Sequence, residues 1–335
     1  MYAEAAQAPA VVESQLLRNA PAVRELAASL RQSPPRAVVT CARGSSDNAA
    51  TYARYLIETR LGLLTASAAP SVSSVYGAHA GFGGTVLLAI SQSGASPDLL
   101  VTVETARQAG ARVIALVNVE DSPLARLADV TLPLAAGLES SVAATKSYLA
   151  SLAAILQLVA EWAHDPDLRR AVHEVPALLR RAWNLDWTAA LEPLSTAGSA
   201  YVVARGVGLG IAQEWALKLK ETCRVHAEAV SAAELRHGPM ALVRPGFPVL
   251  MLAQDDATRD GVLELARDLA ARGAHTLLAG AALPGTVTLP TLAADPALEP
   301  MLATQSFYRF ANALALANGL DPDRPAHLRK VTRTL

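Results

Sequence analysis

The chain is poor in the residues that mark several large classes of protein. It has two cysteines, Cys41 and Cys223, in 335 residues, and their separation matches neither a metal-binding motif nor a disulfide framework. Charged residues make up 18% of the chain, and the formal net charge is −1 without a basic block. This balance argues against a dedicated binder of nucleic acid or of a membrane surface.

Signals for export and membrane insertion are also missing. The N-terminus carries Glu4 and has no basic segment followed by an apolar one, so we expect no signal peptide. The apolar run from Ser147 to Ala160 is shorter than the roughly 20 residues that span a bilayer as a helix. We therefore expect a soluble, cytoplasmic protein.

Apolar residues, by contrast, are abundant. They make up 52% of the chain, which is enough to bury large cores. A chain of this length exceeds one ordinary core and fits two domains of about 150 residues each. The first 32 residues have the apolar periodicity of a helix.

The following segments alternate between short apolar runs and helical patterns. The runs "RAVVTCARG", "TVLLAI", "ARVIALVN" and "DVTLPL" predict four strands. Helical patterns cover 46–60, about 97–109 and about 121–127, and a long helical region from about 145 to 182 is predicted to be interrupted at Pro166 and Pro176. Continuously apolar strands that alternate with helices indicate an α/β fold with a parallel sheet covered on both faces.

The second half of the chain repeats the pattern of the first. "VVTCARGSSDNAATYARYLIET" at 38–59 resembles "YVVARGVGLGIAQEWALKLKET" at 201–222. Arg43 and Gly44 precede Arg205 and Gly206 by 162 positions, and Gln92 precedes Gln254 by the same number. A constant offset over several elements indicates an internal duplication.

We therefore predict two doubly wound α/β domains with terminal additions. The predicted segments are an N-terminal helical segment at 1–32, a first, phosphate-binding domain at 33–165, a helical linker at 166–184, a second domain at 185–320 and a C-terminal tail at 321–335.

The segment "AISQSGASPDLL" at 89–100 combines hydroxyl residues with a glycine at the end of a predicted strand. In an open parallel sheet, ligands bind beyond the carboxyl ends of the strands, where the helix that follows presents unpaired N–H groups. Ser91, Ser93 and Ser96 can donate hydrogen bonds to phosphate oxygens, and Gly94 lets the backbone come close. The segment thus predicts a phosphate site, although a plain loop with Ser96 as helix N-cap also fits the pattern.

The second copy separates these two interpretations. At the matching place it reads "AQDDAT", with Asp255 for Ser93 and Asp256 for Gly94. A carboxylate close to a phosphate would repel it by roughly 4 kcal/mol near a protein surface. The expected cap is present in both copies, as Ser96 and Thr258, so capping alone does not account for the serines. We predict that only the first copy binds phosphate.

Other groups have the composition of a catalytic site. Lys218 and Glu221 in "ALKLKETCRVHAEA" share one face if the segment is helical, and this carboxylate could act as a base or belong to a solvated surface. His237 in "ELRHGPM" lies in a predicted turn, where it is a candidate acid–base group or a surface residue. "SSVAATKS" at 140–147 fits either a helix cap or a second binding loop.

Together these motifs resemble those of a known family. "SQSGAS", "VAATKS", "ALKLKE", "HAEA", "ELRHGP" and the C-terminal "HLRKVT" occur in this order. The chain is similar over its whole length to two tandem sugar-isomerase (SIS) domains, as in the isomerase half of glucosamine-6-phosphate synthase. Within this family, "EAAQAPAVV" and "SSVAATKS" resemble the stand-alone isomerising glucosamine-6-phosphate deaminases.

The resemblance implies a role for each matching residue. Phosphate binding falls to Ser46, Ser91, Gln92, Ser93 and Ser96, and the loop over the sugar contains Val142 and Ala144, where the synthase has serine at the latter position. Glu221 matches the carboxylate that moves a proton between C1 and C2, beside Lys218. His237 matches the histidine that opens the sugar ring and comes from the neighbouring subunit, and Lys330 matches a tail lysine that contacts the open-chain sugar. The resemblance thus implies a homodimer with shared sites, without metal or cofactor.

The reaction implied is conversion of glucosamine 6-phosphate and water to fructose 6-phosphate and ammonia. The synthase has an upstream glutaminase domain with an N-terminal cysteine, whereas residue 2 here is Tyr and neither cysteine lies near the N-terminus. We therefore expect no apparatus that releases ammonia from glutamine. The alternatives are synthesis from free ammonia, a plain aldose–ketose isomerase, a deglycase, or a non-enzymatic sugar-phosphate sensor, which would not need a glutamate–histidine pair.

Overall fold

The structure, a computed structural model, describes residues 1–78 and 80–330. The described residues form two compact units. The first unit contains 10–139, 146–174, Arg329 and Lys330; the second contains 1–9, 140–145 and 175–328. The limits of the five predicted segments stay predictions.

Five parallel strands form the sheet of the first unit in the order β2-β1-β3-β4-β5. The strands are Val38–Cys41 (β1), Thr65–Ser67 (β2), Val86–Ser91 (β3), Arg112–Val117 (β4) and Val130–Pro133 (β5). The helices that begin in this part of the chain are Ser45–Leu61 (α2), Pro70–Ser74 (α3), Pro97–Gln108 (α4), Pro123–Leu127 (α5), Lys146–Trp162 (α6) and Pro166–Ala182 (α7), after the N-terminal helix Tyr2–Gln32 (α1). All six residues of β3 are buried, as expected for a strand covered on both faces.

The sheet of the second unit repeats this order as β7-β6-β8-β9-β10. Its strands are Ser199–Ala204 (β6), His226–Ser231 (β7), Pro248–Leu252 (β8), His275–Ala279 (β9) and Val287–Leu289 (β10), and its helices are Leu191–Ser195 (α8), Leu209–Cys223 (α9), Arg259–Ala271 (α10) and Glu299–Ala317 (α11). All strand pairs in both sheets are parallel. The predicted fold class and the duplication are confirmed.

Two edge strands escaped the sequence prediction. β2 is only three residues long, and Thr65 is its one buried residue. β7 covers the segment that the sequence predicts as a short polar piece after a helix, which is wrong because Ala227 and Val230 are buried while His226 and Glu228 are exposed. Edge strands bury less side-chain surface than central strands, so their sequences carry less apolar signal.

The predicted interruption at Pro176 is also wrong, because α7 continues through it. The predicted interruption at Pro166 is confirmed, because the helical region breaks at 163–165, directly before Pro166, and His164 there has a φ of 55°. The Asp165 carboxylate then accepts hydrogen bonds from the first turn of α7. Val175 and Leu179, on either side of Pro176, are buried, and this packing offsets the missing backbone hydrogen bond.

Among the described residues, none of the helices has the length and apolar character needed to cross a bilayer.

Candidate functional site

The first sheet has its topological switch point between β1 and β3. The chain leaves β1 toward the β2 side and leaves β3 toward the β4 side, so a crevice opens where these two adjacent strands end. Helix α2 begins just after β1, with Ser46 in its first turn. The segment Ser91–Ser96 connects β3 to α4. Both predicted phosphate-binding segments therefore lie at the same edge of one sheet.

Gly94 shapes the loop after β3. Its φ is 62°, a conformation that side chains rarely adopt, and a Cβ there would lie 2.2 Å from Ser122 Oγ. The Ser91 hydroxyl accepts a hydrogen bond from the Gly94 N–H at 3.0 Å. Only glycine fits this turn, which keeps the backbone between Gln92 and Ser96 tight at the start of α4.

Side chains of the loop remain accessible to a ligand. Gln92, Ser93 and Ser96 are partly exposed. Ser96 occupies the N-cap position of α4 but makes no side-chain capping hydrogen bond, and neither does Thr258 at the start of α10. The predicted caps are wrong in this respect, so capping does not explain the Ser96 hydroxyl.

An ion pair fixes the start of α4 to the end of β1. Arg43 donates from Nε and Nη2 to Asp98 Oδ2 at 2.9 and 2.6 Å. Asp98 is 1% exposed, whereas the Arg43 side chain is half exposed. A charge-assisted bond to a buried carboxylate is a strong restraint, and it holds the two helix starts that flank the crevice.

A second cluster of the first unit contains Lys330. Its Nζ donates to Glu139 Oε2 at 3.1 Å, and the Glu139 side chain is fully buried. Ser147, at the start of α6, donates to the same carboxylate from Oγ at 2.6 Å and from its backbone N–H at 3.2 Å. The tail lysine that the pattern alone would place in solvent is thus anchored to a buried acid. The sequence analysis missed Glu139, whose one signal is its position shortly after β5.

The second unit contains the predicted base. Lys218 Nζ lies 2.5 Å from Glu221 Oε2, one turn apart on α9. The solvated-surface interpretation is wrong for Lys218, which is 0% exposed, while the Glu221 side chain is 22% exposed. Lys220, between them in sequence, is exposed. Glu221 is therefore a carboxylate that solvent can reach and that is held from behind by a buried ammonium.

Burial and the neighbouring carboxylates act on Lys218 in opposite directions. Burial alone would lower the pKa of the Lys218 ammonium, but Glu214 and Glu221 together raise this pKa above its ordinary value. Lys218 is therefore charged at neutral pH. The Glu214 carboxylate is also buried and lies 3.4 Å from Lys218 Nζ. Glu214 was not predicted, although its spacing of four positions before Lys218 places both on one face of a helix.

The loop at 140–145, predicted as either a cap or a binding loop, is tied down within the second unit. Glu4 accepts hydrogen bonds from the N–H groups of Ser140 at 2.5 Å and Ser141 at 3.3 Å. The Val142 N–H donates to Asp323 O at 3.2 Å. Val142 and Ala144 remain partly exposed, so the loop presents both predicted sugar-contacting residues from an anchored backbone.

His237 lies between two short 3₁₀ segments, Glu234–Arg236 and Pro239–Leu242. It is exposed, and its N–H donates to Glu234 O at 2.9 Å. The prediction of a turn is confirmed. The imidazole is presented on the surface of the second unit, where it is accessible to another molecule.

Thiol chemistry does not fit this chain. Burial raises the pKa of Cys41 to about 12 and that of Cys223 to about 11, so both are neutral thiols at physiological pH. Within residues 1–78 and 80–330, no three His, Cys, Asp or Glu side chains are grouped so that they could hold a metal ion.

A family model agrees with this geometry. The SIS domain model matches residues 30–161 and 193–279, which contain the first sheet and the second sheet except its edge strand β10. The chain belongs to the SIS domain family, with two SIS domains in tandem.

The chain is also similar to curated proteins. The glutamine–fructose-6-phosphate aminotransferase of Aeropyrum pernix is 38% identical over 307 residues, which are 86% of this chain and 49% of that protein. The chain therefore spans about half the length of the curated relatives it matches.

Two solved structures share the architecture over nearly the whole chain. One, from Silicibacter pomeroyi, is provisionally described as a phosphosugar isomerase; it is 40% identical, with a TM-score of 0.92 over 96% of this chain and 99% of its own. The other is the C-terminal domain of glucosamine-fructose-6-phosphate aminotransferase from Francisella tularensis, which is 25% identical, with a TM-score of 0.86 and 96% coverage of both chains. The chain is thus homologous to the aminotransferase domain that carries tandem SIS folds.

Proposed function

We propose that the chain is a phosphosugar isomerase of the deaminating type, which converts glucosamine 6-phosphate and water to fructose 6-phosphate and ammonia. The observation that carries the proposal is Glu221, a partly exposed carboxylate 2.5 Å from a buried ammonium. Such a group can remove and return a proton. A sugar-phosphate sensor would need the phosphate loop but has no use for this ion pair.

The phosphate end of the substrate belongs to the side chains at the starts of α2 and α4, namely Ser46, Ser91, Gln92, Ser93 and Ser96, and Ser91 also accepts the Gly94 N–H bond that shapes the loop. Donors at the starts of two helices suit a dianion. Binding energy from this remote group positions C1 and C2 of the sugar. It can therefore raise kcat and not only lower KM. The phosphate itself does not react.

The proton transfers proceed on the open-chain sugar. His237 passes the proton that opens the pyranose ring and leaves an aldehyde at C1. Glu221 then removes the C2 proton, giving an enolamine, and returns it to C1. The result is a 2-imine of fructose 6-phosphate. Water adds to this imine and ammonia leaves, with Lys330 assisting at the carbonyl end.

A panel of substrates tests the proposal. Ammonia release and ketose formation are measured with glucosamine 6-phosphate, its galacto epimer, glucose 6-phosphate and a fructosamine 6-phosphate adduct of an amino acid. We expect equal amounts of ammonia and fructose 6-phosphate from glucosamine 6-phosphate. Glu221→Ala, purified in parallel, controls for contaminating deaminases. Ketose formation from glucose 6-phosphate alone would support the plain isomerase, amine release from the adduct alone would support the deglycase, and an inert panel would support the sensor.

We also propose that the enzyme is a homodimer in which His237 serves the partner's site, because His237 is exposed on its own unit. Mixing inactive His237→Ala and Glu221→Gln chains after reversible dissociation would then restore about a quarter of the wild-type rate, since half of the random dimers contain one complete site. Histidine acting within its own chain predicts no recovery.

A further inference from the structure

One buried ammonium on α9 serves two carboxylates. Lys218 Nζ lies 3.4 Å from Glu214 Oε1 and 2.5 Å from Glu221 Oε2. Glu214 is 0% exposed, as is Lys218. The two acids therefore differ in access: Glu221 reaches solvent, while Glu214 does not.

Glu214 is held from the neighbouring helix. Tyr308 of α11 donates its hydroxyl to Glu214 Oε1 at 3.0 Å, and this bond is buried. A buried carboxylate persists only when it is paired and hydrogen-bonded. Glu214 has both kinds of partner, so its position relative to Lys218 is fixed by two helices.

We propose that Glu214 is a positioning residue: anchored by Tyr308, it shares the Lys218 ammonium with Glu221 and thereby sets the position and the charge surroundings of the carboxylate that accepts the C2 proton. The inference rests on the proton transfer in the proposed function. It adds a role for two residues, Glu214 and Tyr308, that do not carry the reaction themselves.

The physical reason is a balance of charges. A carboxylate paired alone with a buried ammonium is stabilised strongly as the anion, which makes it a poor base. A second carboxylate on the same ammonium opposes this stabilisation, because like charges disfavour each other at short range. Glu214 also lets Lys218 stay charged in the core, where an unpaired ammonium would be costly.

Charged groups on the elements that pack against α9 have another partner or are exposed. These elements are β6 and the 3₁₀ segment Gly206–Gly208, which contain no charged residue, together with β7 and α11. Arg309 of α11 donates to Trp183 O at 3.1 Å. His226 and Glu228 of β7 are exposed. The pH dependence of the base is thus expected to follow Glu214 and Lys218.

The test compares Glu214→Gln, Glu214→Asp and Tyr308→Phe in the full-length protein. The pH profile of kcat/KM is measured for ammonia release from glucosamine 6-phosphate, and in parallel for exchange of deuterium from solvent into C1 of fructose 6-phosphate. We expect Glu214→Gln to move the acid limb of both profiles to lower pH by about one unit, the size of a typical charge–charge effect. The plateau rate should fall about tenfold, since a weaker base removes the proton more slowly, with KM nearly unchanged.

Two conservative variants separate the charge of Glu214 from its packing. Glu214→Asp keeps the charge, so its acid limb should stay at the wild-type pH even if the rate falls. Tyr308→Phe removes the anchor and should shift the limb in the same direction as Glu214→Gln, by less. If Glu214→Gln does not fold, these two variants still decide between a charge effect and simple packing.

Thr304→Val is the matched structural control. Thr304, one turn from Tyr308 on α11, accepts the Trp215 Nε1 hydrogen bond at 3.1 Å, so its loss also removes a buried bond between α9 and α11. For Thr304→Val we expect a lower midpoint of denaturant unfolding and the wild-type pH profile of kcat/KM. Wild-type limbs in Glu214→Gln, or an equal shift in Thr304→Val, would overturn the proposal.

The two readouts also separate this inference from the proposed function. Deuterium exchange without ammonia release in the wild type contradicts the deaminase and leaves the role of Glu214 to be decided from the exchange profile. A wild type that shows neither reaction contradicts both.

Discussion

The loops that follow β3 and β8 occupy the same place in two copies of one fold, yet they differ in what their polar groups do. In the first copy, Gln92, Ser93 and Ser96 are partly exposed around the tight turn at Gly94. In the second, Gln254 is 1% exposed. The two loops therefore differ most at the glutamine, which is partly exposed in the first copy and buried in the second, whereas Asp255, Asp256 and Thr258 stay at least partly exposed.

Hydrogen bonds among its own groups hold the second loop. Gln254 Nε2 donates to Arg205 O at 2.5 Å, and to Asp256 Oδ2 and Thr258 Oγ1, both at 3.1 Å. Asp256 Oδ1 accepts from the Thr258 N–H at 2.8 Å and from its hydroxyl at 2.5 Å. The Asp256 carboxylate, which would repel an anion, thus holds the loop together.

The two copies also differ at the start of the helix that follows the first strand of each pair. Gly208 stands 162 positions after Ser46, the residue we propose as a phosphate ligand. A Cβ at Gly208 would lie 2.7 Å from Gln254 Oε1. The glutamine side chain therefore fills the place that a ligand-binding serine would need. In the proposed function the first copy binds the phosphate, whereas in the second copy the protein's own side chain occupies the corresponding place.

Removing the base gives the largest expected effect. Glu221→Gln keeps the shape of the side chain and should lower kcat by about 10²–10⁴-fold, the usual range for a positioned acid–base group. Affinity for a non-reactive hexitol 6-phosphate should be retained, because the proposed phosphate ligands belong to the first copy. Glu228→Gln, an exposed change on β7, serves as the control. A wild-type rate of ammonia release in Glu221→Gln would refute the assignment.

The second largest effect is expected when the first loop is given a carboxylate, as in the second copy. This change should weaken phosphate binding. Ser93→Asp places a carboxylate against the phosphate, as Asp255 would in the second copy. Repulsion of roughly 4 kcal/mol at an effective dielectric of about 20 corresponds to a loss of about 10²–10³-fold in hexitol 6-phosphate affinity, measured by calorimetry. Ser93→Asn is the neutral match and should lose far less. Equal losses in both would show that shape, not charge, decides.

Removing the hydrogen bonds of the second loop should lower the stability of the protein and leave substrate affinity unchanged. Asp256→Ala removes the acceptor for Gln254 and Thr258 and should reduce the free energy of unfolding by about 1–2 kcal/mol, measured by denaturant titration. Asp255→Ala, whose side chain is 73% exposed, should change it by less than about 0.5 kcal/mol. Substrate affinity should stay at the wild-type value in both. A second phosphate site appearing in Asp256→Ala would break the comparison between the loops.

Much of this candidate site could be predicted from the sequence, because the patterns that indicate it involve residues close together in the chain. The Gly94 turn, the serines around it and the offset to Gln254 need only neighbouring letters or a repeated spacing. Lys218 and Glu221 form their predicted contact because one helical turn fixes it. The short edge strand β2 was not predicted, since it has too few buried side chains to show a pattern.

The sequence by itself determined the fold class, the duplication and the difference in charge between the two loops, all of which depend on periodicity and residue type. Only the tertiary structure decided which polar groups are buried and what they face. Glu139 meets Lys330 across 191 positions and Tyr308 meets Glu214 across 94. Packing sets the energy of such pairs, because removal from water makes each partner depend on the other, and no spacing in the chain encodes that dependence.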